Sequence, residues 1–234
     1  MASLAIIPAR GGSKRIPKKN IKDFLGVPII SYSIKSAINS ELFDEVMVST
    51  DDEEIKNIAE SFDAKVPFLR GNSNSDDFAT LADVLQEVLA CYKEEGKEFT
   101  SVCCILPTAP FVNSEKLIKS FKIYQQEKFD TVFPVLEFSY PIQRALRFEG
   151  ENIEMVEEKY LNSRSQDLEA RYHDSGQFYW INVERFLLEK KMFTANSGAI
   201  VISELEAQDI DTITDWKLAE IKYQMMLKNE KNNL

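Results

Sequence analysis

Apolar and polar residues alternate in blocks along this chain, and the period of each block distinguishes strand from helix. Leu4 to Ile7 is a continuous apolar run, short enough for a strand buried on both faces. Ile29, Ile30, Ile34, Ala37 and Ile38 then recur at helical spacing behind Pro28, whose fixed φ suits the first helical position. Residues 45–50 read as a second strand, Asp51 and Asp52 open a short helix reaching Phe62, and Lys65 to Leu69 read as a short strand. The rhythm continues with a helix over 81–93, a strand over 102–106, a capped helix over 114–127 and a strand over 131–136. It breaks at Glu137, where charged, aromatic and long side chains run irregularly to His173. It resumes with a strand over 177–182, a short helix over 183–189 and a last strand over 199–203. The closing helix over 213–226 has Trp216, Leu218, Ile221 and Met225 as inward candidates.

Strands alternating with helices predict an α/β fold, Rossmann-like, with a mostly parallel sheet sandwiched by helices. In such folds loops at one edge of the sheet bind the ligand. A length of 234 residues predicts one domain with an insertion, so that 1–136 and 174–234 form the main α/β domain and 137–173 the excursion. Loops this long without structure of their own are uncommon and usually functional.

Composition narrows the class. Hydrophobic residues at 44% supply a substantial core, and a formal charge of −10 argues against a nucleic-acid surface. No apolar run approaches the roughly 18 residues of a membrane span, and the N-terminus lacks a signal-peptide layout, so a soluble cytoplasmic protein is expected. Cys91, Cys103 and Cys104 do not make a disulfide framework, and a single histidine argues against zinc.

Against this acidic background residues 10–19 stand out. Gly11 and Gly12 lie among Arg10, Lys14, Arg15, Lys18 and Lys19, directly after the first strand. Glycines that adopt positive φ can converge their N–H groups on phosphate oxygens, and the cations add charge, so a nucleoside triphosphate is the natural guest. The spacing matches neither a Walker loop nor a dinucleotide fingerprint. The plainer alternative is a basic surface turn. Near the other end, Asp209-Ile210-Asp211 places two carboxylates on one side of an extended segment. A divalent cation relieves their repulsion, although Asp211 could equally cap the following helix.

Arg10-Gly11-Gly12-Ser13-Lys14, with Pro17, Lys19 and Asn20 following, resembles the signature loop of the CMP-sialic acid synthetase family of cytidylyltransferases, and the resemblance covers nearly the whole chain. It implies transfer of CMP from CTP to an acid sugar with release of pyrophosphate. The matching positions imply a nucleotide site of Arg10, Gly11, Gly12, Ser13, Lys14, Lys19, Asn20, Arg70 and Thr80, with Mg2+ on Asp209 and Asp211. Arg10, Lys19 and Asp211 carry the catalytic roles in this scheme. On their own, Arg70 and Thr80 read as a surface residue and a helix cap. The excursion corresponds to a dimerisation subdomain in that family, which implies a homodimer.

The sugar side is expected to involve Leu106, Thr108, Gln177, Tyr179 and Phe193. Leu106-Pro107-Thr108-Ala109-Pro110 resembles the family's strand-end motif, with leucine where the sialic acid enzymes commonly carry glutamine. The run Tyr172-His173-Asp174-Ser175-Gly176-Gln177-Phe178-Tyr179-Trp180 most resembles the branch that acts on pseudaminic acid, a deoxygenated relative of sialic acid used on flagellin and other surface structures. N-acetylneuraminate, legionaminate and 3-deoxy-manno-octulosonate remain alternative substrates. His173 reads either as a general base or as a structural hydrogen-bonding residue.

Overall fold

The computed structural model describes residues 2–71 and 79–232. Its central strand, β1 (Ser3–Pro8), is the predicted apolar run, and Leu4, Ala5, Ile6 and Ile7 are fully buried. Side chains alternate along a strand, so Ala5 and Ile7 enter one core while Leu4 and Ile6 enter another. A loop and a small hairpin, β2 (Asp23–Phe24) and β3 (Val27–Pro28), follow. Next come α1 (Ile30–Ser40), β4 (Glu45–Ser49), α2 (Glu53–Ser61), α3 (Leu81–Glu94), β5 (Ser101–Ile105), α4 (Ser114–Gln126) and β6 (Thr131–Glu137). The excursion carries a hairpin, β7 (Leu146–Glu149) and β8 (Asn152–Met155), and ends in β9 (Tyr172–Asp174). β10 (Phe178–Asn182), α5 (Val183–Glu189), β11 (Ser197–Val201) and α6 (Ile213–Asn232) complete the chain.

The sheet has seven strands in the order β11-β6-β10-β5-β1-β4, with β9 paired to β6. β1 runs parallel to β4 and β5, and β11 parallel to β6, while β10 runs antiparallel between β5 and β6. The expected α/β sandwich with a mostly parallel sheet is what forms. The reversal of β10 has a consequence for the ligand edge. Phe178 pairs with Ile105, so the start of β10 lies beside the end of β5, and Leu106 N–H donates to the Gln177 carbonyl at 2.8 Å.

One core packs α1, α2 and α4 through Ile34, Ile55 and Leu117 around the buried Trp180, whose indole N–H donates to Ser120 Oγ at 3.0 Å. The other packs α3 and α5 through Leu85, Val88 and Phe186. A third, smaller cluster decides the geometry of the site. Ile16 from the basic loop, Phe24 from the hairpin, Ile210 from between the two aspartates and Trp216 from α6 are buried together. Burying each such side chain contributes about 1.5–3 kcal/mol, so the two ends of the chain are packed as one unit.

Several local expectations are corrected. Pro28 pairs with Asp23 in the hairpin and does not open α1, which begins two residues later. Lys65 to Leu69 form no strand: Lys65 makes a single parallel bridge to Met47, and the next backbone bond to this edge is Arg70 N–H to the Thr50 carbonyl at 2.8 Å. On α6 the inward stripe is Trp216, Ala219, Tyr223 and Met226, and Leu218, Ile221 and Met225 are exposed. Apolar residues lie on both faces of this helix, so period alone could not choose between them. Ile38 is likewise on the solvent side of α1. The last strand begins two residues earlier than expected, at Ser197. Cys103 and Cys104 are buried on opposite faces of β5, one in each core. Among the described residues no helix is long and apolar enough to cross a membrane.

Candidate active site

β1 and β5 end side by side, and the loops that leave them enclose a cavity of about 310 Å³. Arg10, Ser13, Lys14, Arg15, Lys19 and Asn20 line it from the basic loop. Arg70 and Thr80 line it from the segments before α3, and Leu106 and Thr108 from the end of β5. A second cavity of about 620 Å³ lies beyond Leu106, which lines both. Its walls combine apolar Leu106, Leu136 and Phe138 with the carboxylates of Glu137, Asp174, Glu204 and Asp209. One cavity is cationic and the other acidic.

The basic loop is rigidly held. Asn20 is buried and donates from Nδ2 to the Arg10 carbonyl at 2.9 Å, closing the loop on itself. Lys18 adopts a left-handed conformation with φ 52° and pairs with Glu54 of α2, so it faces away from the cavity. The glycines act differently from the expectation. Neither Gly11 nor Gly12 takes a positive φ or lines the cavity, and the Gly11 N–H donates to Asp51 Oδ1 at 2.9 Å. What Gly11 requires is space, because a Cβ there would stand 2.6 Å from Asp52 Oδ2. Asp52 is meanwhile fixed as the N-cap of α2, accepting from Glu54 and Ile55 N–H.

Arg70 is buried, donating to the Ser49 carbonyl at 2.6 Å and to Ser49 Oγ at 3.1 Å. Burial pulls its pKa below the ordinary guanidinium value, with Arg10 near enough to push in the same direction. Thr80 caps α3 in a reciprocal capping box with Asp83, so both readings of this residue coexist: it caps the helix and it borders the cavity.

The acidic pair meets the basic loop across 196 residues of sequence. Arg15 Nη1 lies 2.8 Å from Asp211 Oδ2. Lys19 Nζ donates to the Ile210 carbonyl at 2.6 Å and reaches Asp211 Oδ1 at 3.5 Å. Ile210 is buried in the third cluster, which turns its two neighbours outward as the alternation predicts. Asp209 lines the acidic cavity, whereas Asp211 faces the cations of the other. Burial and the nearby Asp211 charge push the Asp209 carboxyl above its usual range. Asp211 does not cap α6; its own N–H donates to Asp215. Among the described residues no group of three or more His, Cys, Asp or Glu side chains is placed to hold a metal ion.

The remaining sugar-side candidates stand behind the cavity walls. Gln177 is buried and donates from Nε2 to the Glu206 carbonyl at 2.6 Å, and its Oε1 has no partner. Tyr179 is buried, and its hydroxyl donates to Asp174 Oδ2 at 2.5 Å, which carries its influence to the acidic cavity. Phe193 is half-exposed and packs edge-on against Phe133 and Tyr179, outside both linings. His173 lines the acidic cavity, its Nδ1 2.9 Å from the Asp174 carbonyl and its ring against Phe138. Asp174 and Lys222 line the acidic cavity and are residues to which sequence reading gave no role, while Arg15, read only as one of the loop's cations, proves to be the partner of Asp211. For Asp174 the Tyr172-His173-Asp174 run held a local signal, and for Lys222 there was none.

A cytidylyltransferase family profile matches residues 4–230. The chain belongs to the cytidylyltransferase family. The pseudaminic acid cytidylyltransferase of Campylobacter jejuni serotype O:2 is 44% identical over 96% of this chain and 97% of its own length. The N-acylneuraminate cytidylyltransferase of Escherichia coli O18:K1:H7 is 30% identical over 92% of this chain, which spans 51% of that longer protein. Among solved structures, a CMP:2-keto-3-deoxy-manno-octonic acid synthetase complexed with CTP superimposes with a TM-score of 0.69, covering 97% of this chain and 100% of that one at 16% identity. That likeness places this cytidylyltransferase in the same α/β fold.

Proposed function

We propose that this cytidylyltransferase joins CTP to a nonulosonic acid, pseudaminic acid foremost, giving the CMP-sugar and pyrophosphate. One observation carries the reading: a cationic and an acidic cavity meet at Leu106, with Asp209 on the acidic side and Asp211 ion-paired to the cations. The choice of sugar is supported by the 44% identity to the C. jejuni enzyme, against 30% to the N-acylneuraminate enzyme. It is also supported by the apolar wall of Leu106, Leu136 and Phe138, which suits a deoxygenated ring.

In this scheme the anomeric hydroxyl oxygen attacks the α-phosphorus and the bond from that phosphorus to the bridging β-phosphate oxygen breaks. Pyrophosphate leaves with the electron pair, and the hydroxyl proton is taken up at the acidic pair. Arg10, Lys14 and Lys19 neutralise the charge gathering on pyrophosphate, and Asn20, Arg70 and Thr80 hold the nucleoside end. Two carboxylates beside a phosphate cavity are the ligand complement that Mg2+ takes, leaving room for phosphate oxygens and water. Burial and the Asp211 charge together raise the pKa of Asp209, and a cation would relieve the part that comes from repulsion. Asp209 and Asp211 would hold Mg2+, which supplies charge stabilisation at the phosphate oxygens.

The test is pyrophosphate release by the purified protein with CTP and Mg2+, across pseudaminate, N-acetylneuraminate, legionaminate and 3-deoxy-manno-octulosonate. Pseudaminate is expected to be turned over fastest, and no release with it overturns the assignment. Leu106→Gln is expected to lower kcat/KM for pseudaminate by about 10–100-fold, because an amide is left without a partner against a deoxygenated ring. The same change narrows the preference over N-acetylneuraminate.

A second copy completes the sugar cavity in this proposal. An acid sugar brings a carboxylate to a cavity already bearing four, and Lys222 Nζ is engaged by the Glu204 and Ala207 carbonyls. The excursion exposes Tyr140, Leu146, Phe148, Ile153 and Leu161, and it carries Arg144, Arg147, Arg164 and Arg171. Covering such residues is a reason for two chains to associate. Sedimentation equilibrium is expected to return twice the chain mass of 26.8 kDa, and a monomer at micromolar concentration contradicts this part of the reading.

A further inference from the structure

Lysine is among the residues least often buried, yet Lys116 in the first turn of α4 is 7% exposed. It lines neither cavity. Its ammonium donates to the Phe111 carbonyl at 2.9 Å and pairs with Glu206 Oε1 at 2.9 Å. Phe111 directly follows the Leu106–Pro110 motif, and Glu206 closes the 3-10 turn just before Asp209. One buried cation therefore ties together the two segments that bring the β5 motif and the acidic pair to the site.

The turn is held from other directions as well. Glu206 closes a capping box with Ser203, Gln177 donates to the Glu206 carbonyl, and Lys222 donates to the carbonyls of Glu204 and Ala207. Burial works to raise the pKa of Glu206, but the hydrogen bonds from Lys116 and Ser203 outweigh it, so its carboxyl stays ionised below the usual range. Burying an ammonium is costly, and an apolar pair of similar volume would hold α4 to the turn at least as firmly. What the ion pair adds over such a pair is direction: it sets where along α4 the turn is pinned.

We propose that Lys116 is a positioning residue for Asp209 and Asp211, acting through Glu206 to fix the turn from which the acidic pair projects. The proposal rests on the reading of that pair as a divalent-cation site. The experiment titrates Mn2+ into the full-length enzyme saturated with CTP, followed by electron paramagnetic resonance, for wild type, Lys116→Met and Glu206→Gln. Both variants are expected to bind Mn2+ about tenfold more weakly than wild type while metal-free CTP binding is unchanged.

Glu45→Gln serves as the stability control. Glu45 is a buried carboxylate held by Tyr92, Lys65 and Lys97 at the start of β4, the end of the strands away from both cavities. It is expected to lower the melting temperature without moving Mn2+ affinity. If Lys116→Met fails to fold, Glu206→Gln decides the matter, since it leaves Lys116 an amide oxygen to face. Variants that melt earlier yet bind Mn2+ as wild type does overturn the positioning role alone. Wild-type enzyme that binds CTP but holds Mn2+ no more tightly than CTP alone does in solution overturns the cation reading of the pair. Wild-type enzyme that binds both, with the variants weakened, upholds the positioning role whichever sugar proves to be the substrate.

Discussion

Asp211→Asn is expected to lower CMP-sugar formation about a thousandfold, or about 4 kcal/mol in the barrier, while CTP still binds without metal. The first half follows from losing one of the two carboxylates proposed to hold the cation. The second half has a sign that a simple structural role would not give. Arg15 and Lys19 are both paired with Asp211, so removing its charge releases Arg15 and leaves Lys19 held by the Ile210 carbonyl alone, which makes more cationic charge available to phosphate. Metal-free CTP should therefore bind as tightly as before, or more tightly, when titrated calorimetrically in the presence of a chelator. Affinity falling in parallel with turnover would mean that Asp211 serves to hold the basic loop rather than a cation.

Lys19→Met is expected to cost about 100–1,000-fold in kcat/KM, comparable to removing one charge-stabilising donor from other active sites. Lys19, like Arg15, reaches both segments, but it also holds the backbone of the acidic one. Its ammonium holds the Ile210 carbonyl at 2.6 Å, reaches Asp211 and also lines the nucleotide cavity. With 22% of the side chain exposed it is less solvated than Arg15, at 69%, so its charge is less screened. The same change at Arg15 should accordingly cost much less. Steady-state pyrophosphate release for the two variants, side by side, measures that difference. Equal losses would assign the effect to net charge in the loop and remove the special place given to Lys19.

Much of this molecule was legible from pattern alone, and the misses have local causes. Short strands buried on both faces announce themselves by composition, which is why β1 and β5 fall close to where they were expected. Helix starts with a capping residue were equally plain, as at Asp52, Thr80 and Asn113. The excursion defeated the pattern because its hairpin is exposed on both faces and has no buried side to impose alternation. The inward face of α6 defeated it for the opposite reason, since apolar residues occur on both sides of the helix.

The basic loop and the aspartate pair were each recognisable from their own residues, because the density of charge and the spacing of carboxylates are written along a few consecutive positions. Those positions, with the family resemblance they carry, determined the class of chemistry. Their relation to one another was decided only by tertiary structure, through the shared burial of Ile16, Ile210 and Trp216 that brings Arg15 against Asp211. Tertiary structure also assigned the Gly11 N–H to Asp51, set Leu106 between two cavities and buried Lys116 against Glu206. The physical reason is common to all of these. A hydrogen bond or ion pair between residues far apart in sequence leaves no periodicity along the chain, so it becomes visible only where packing has closed the distance.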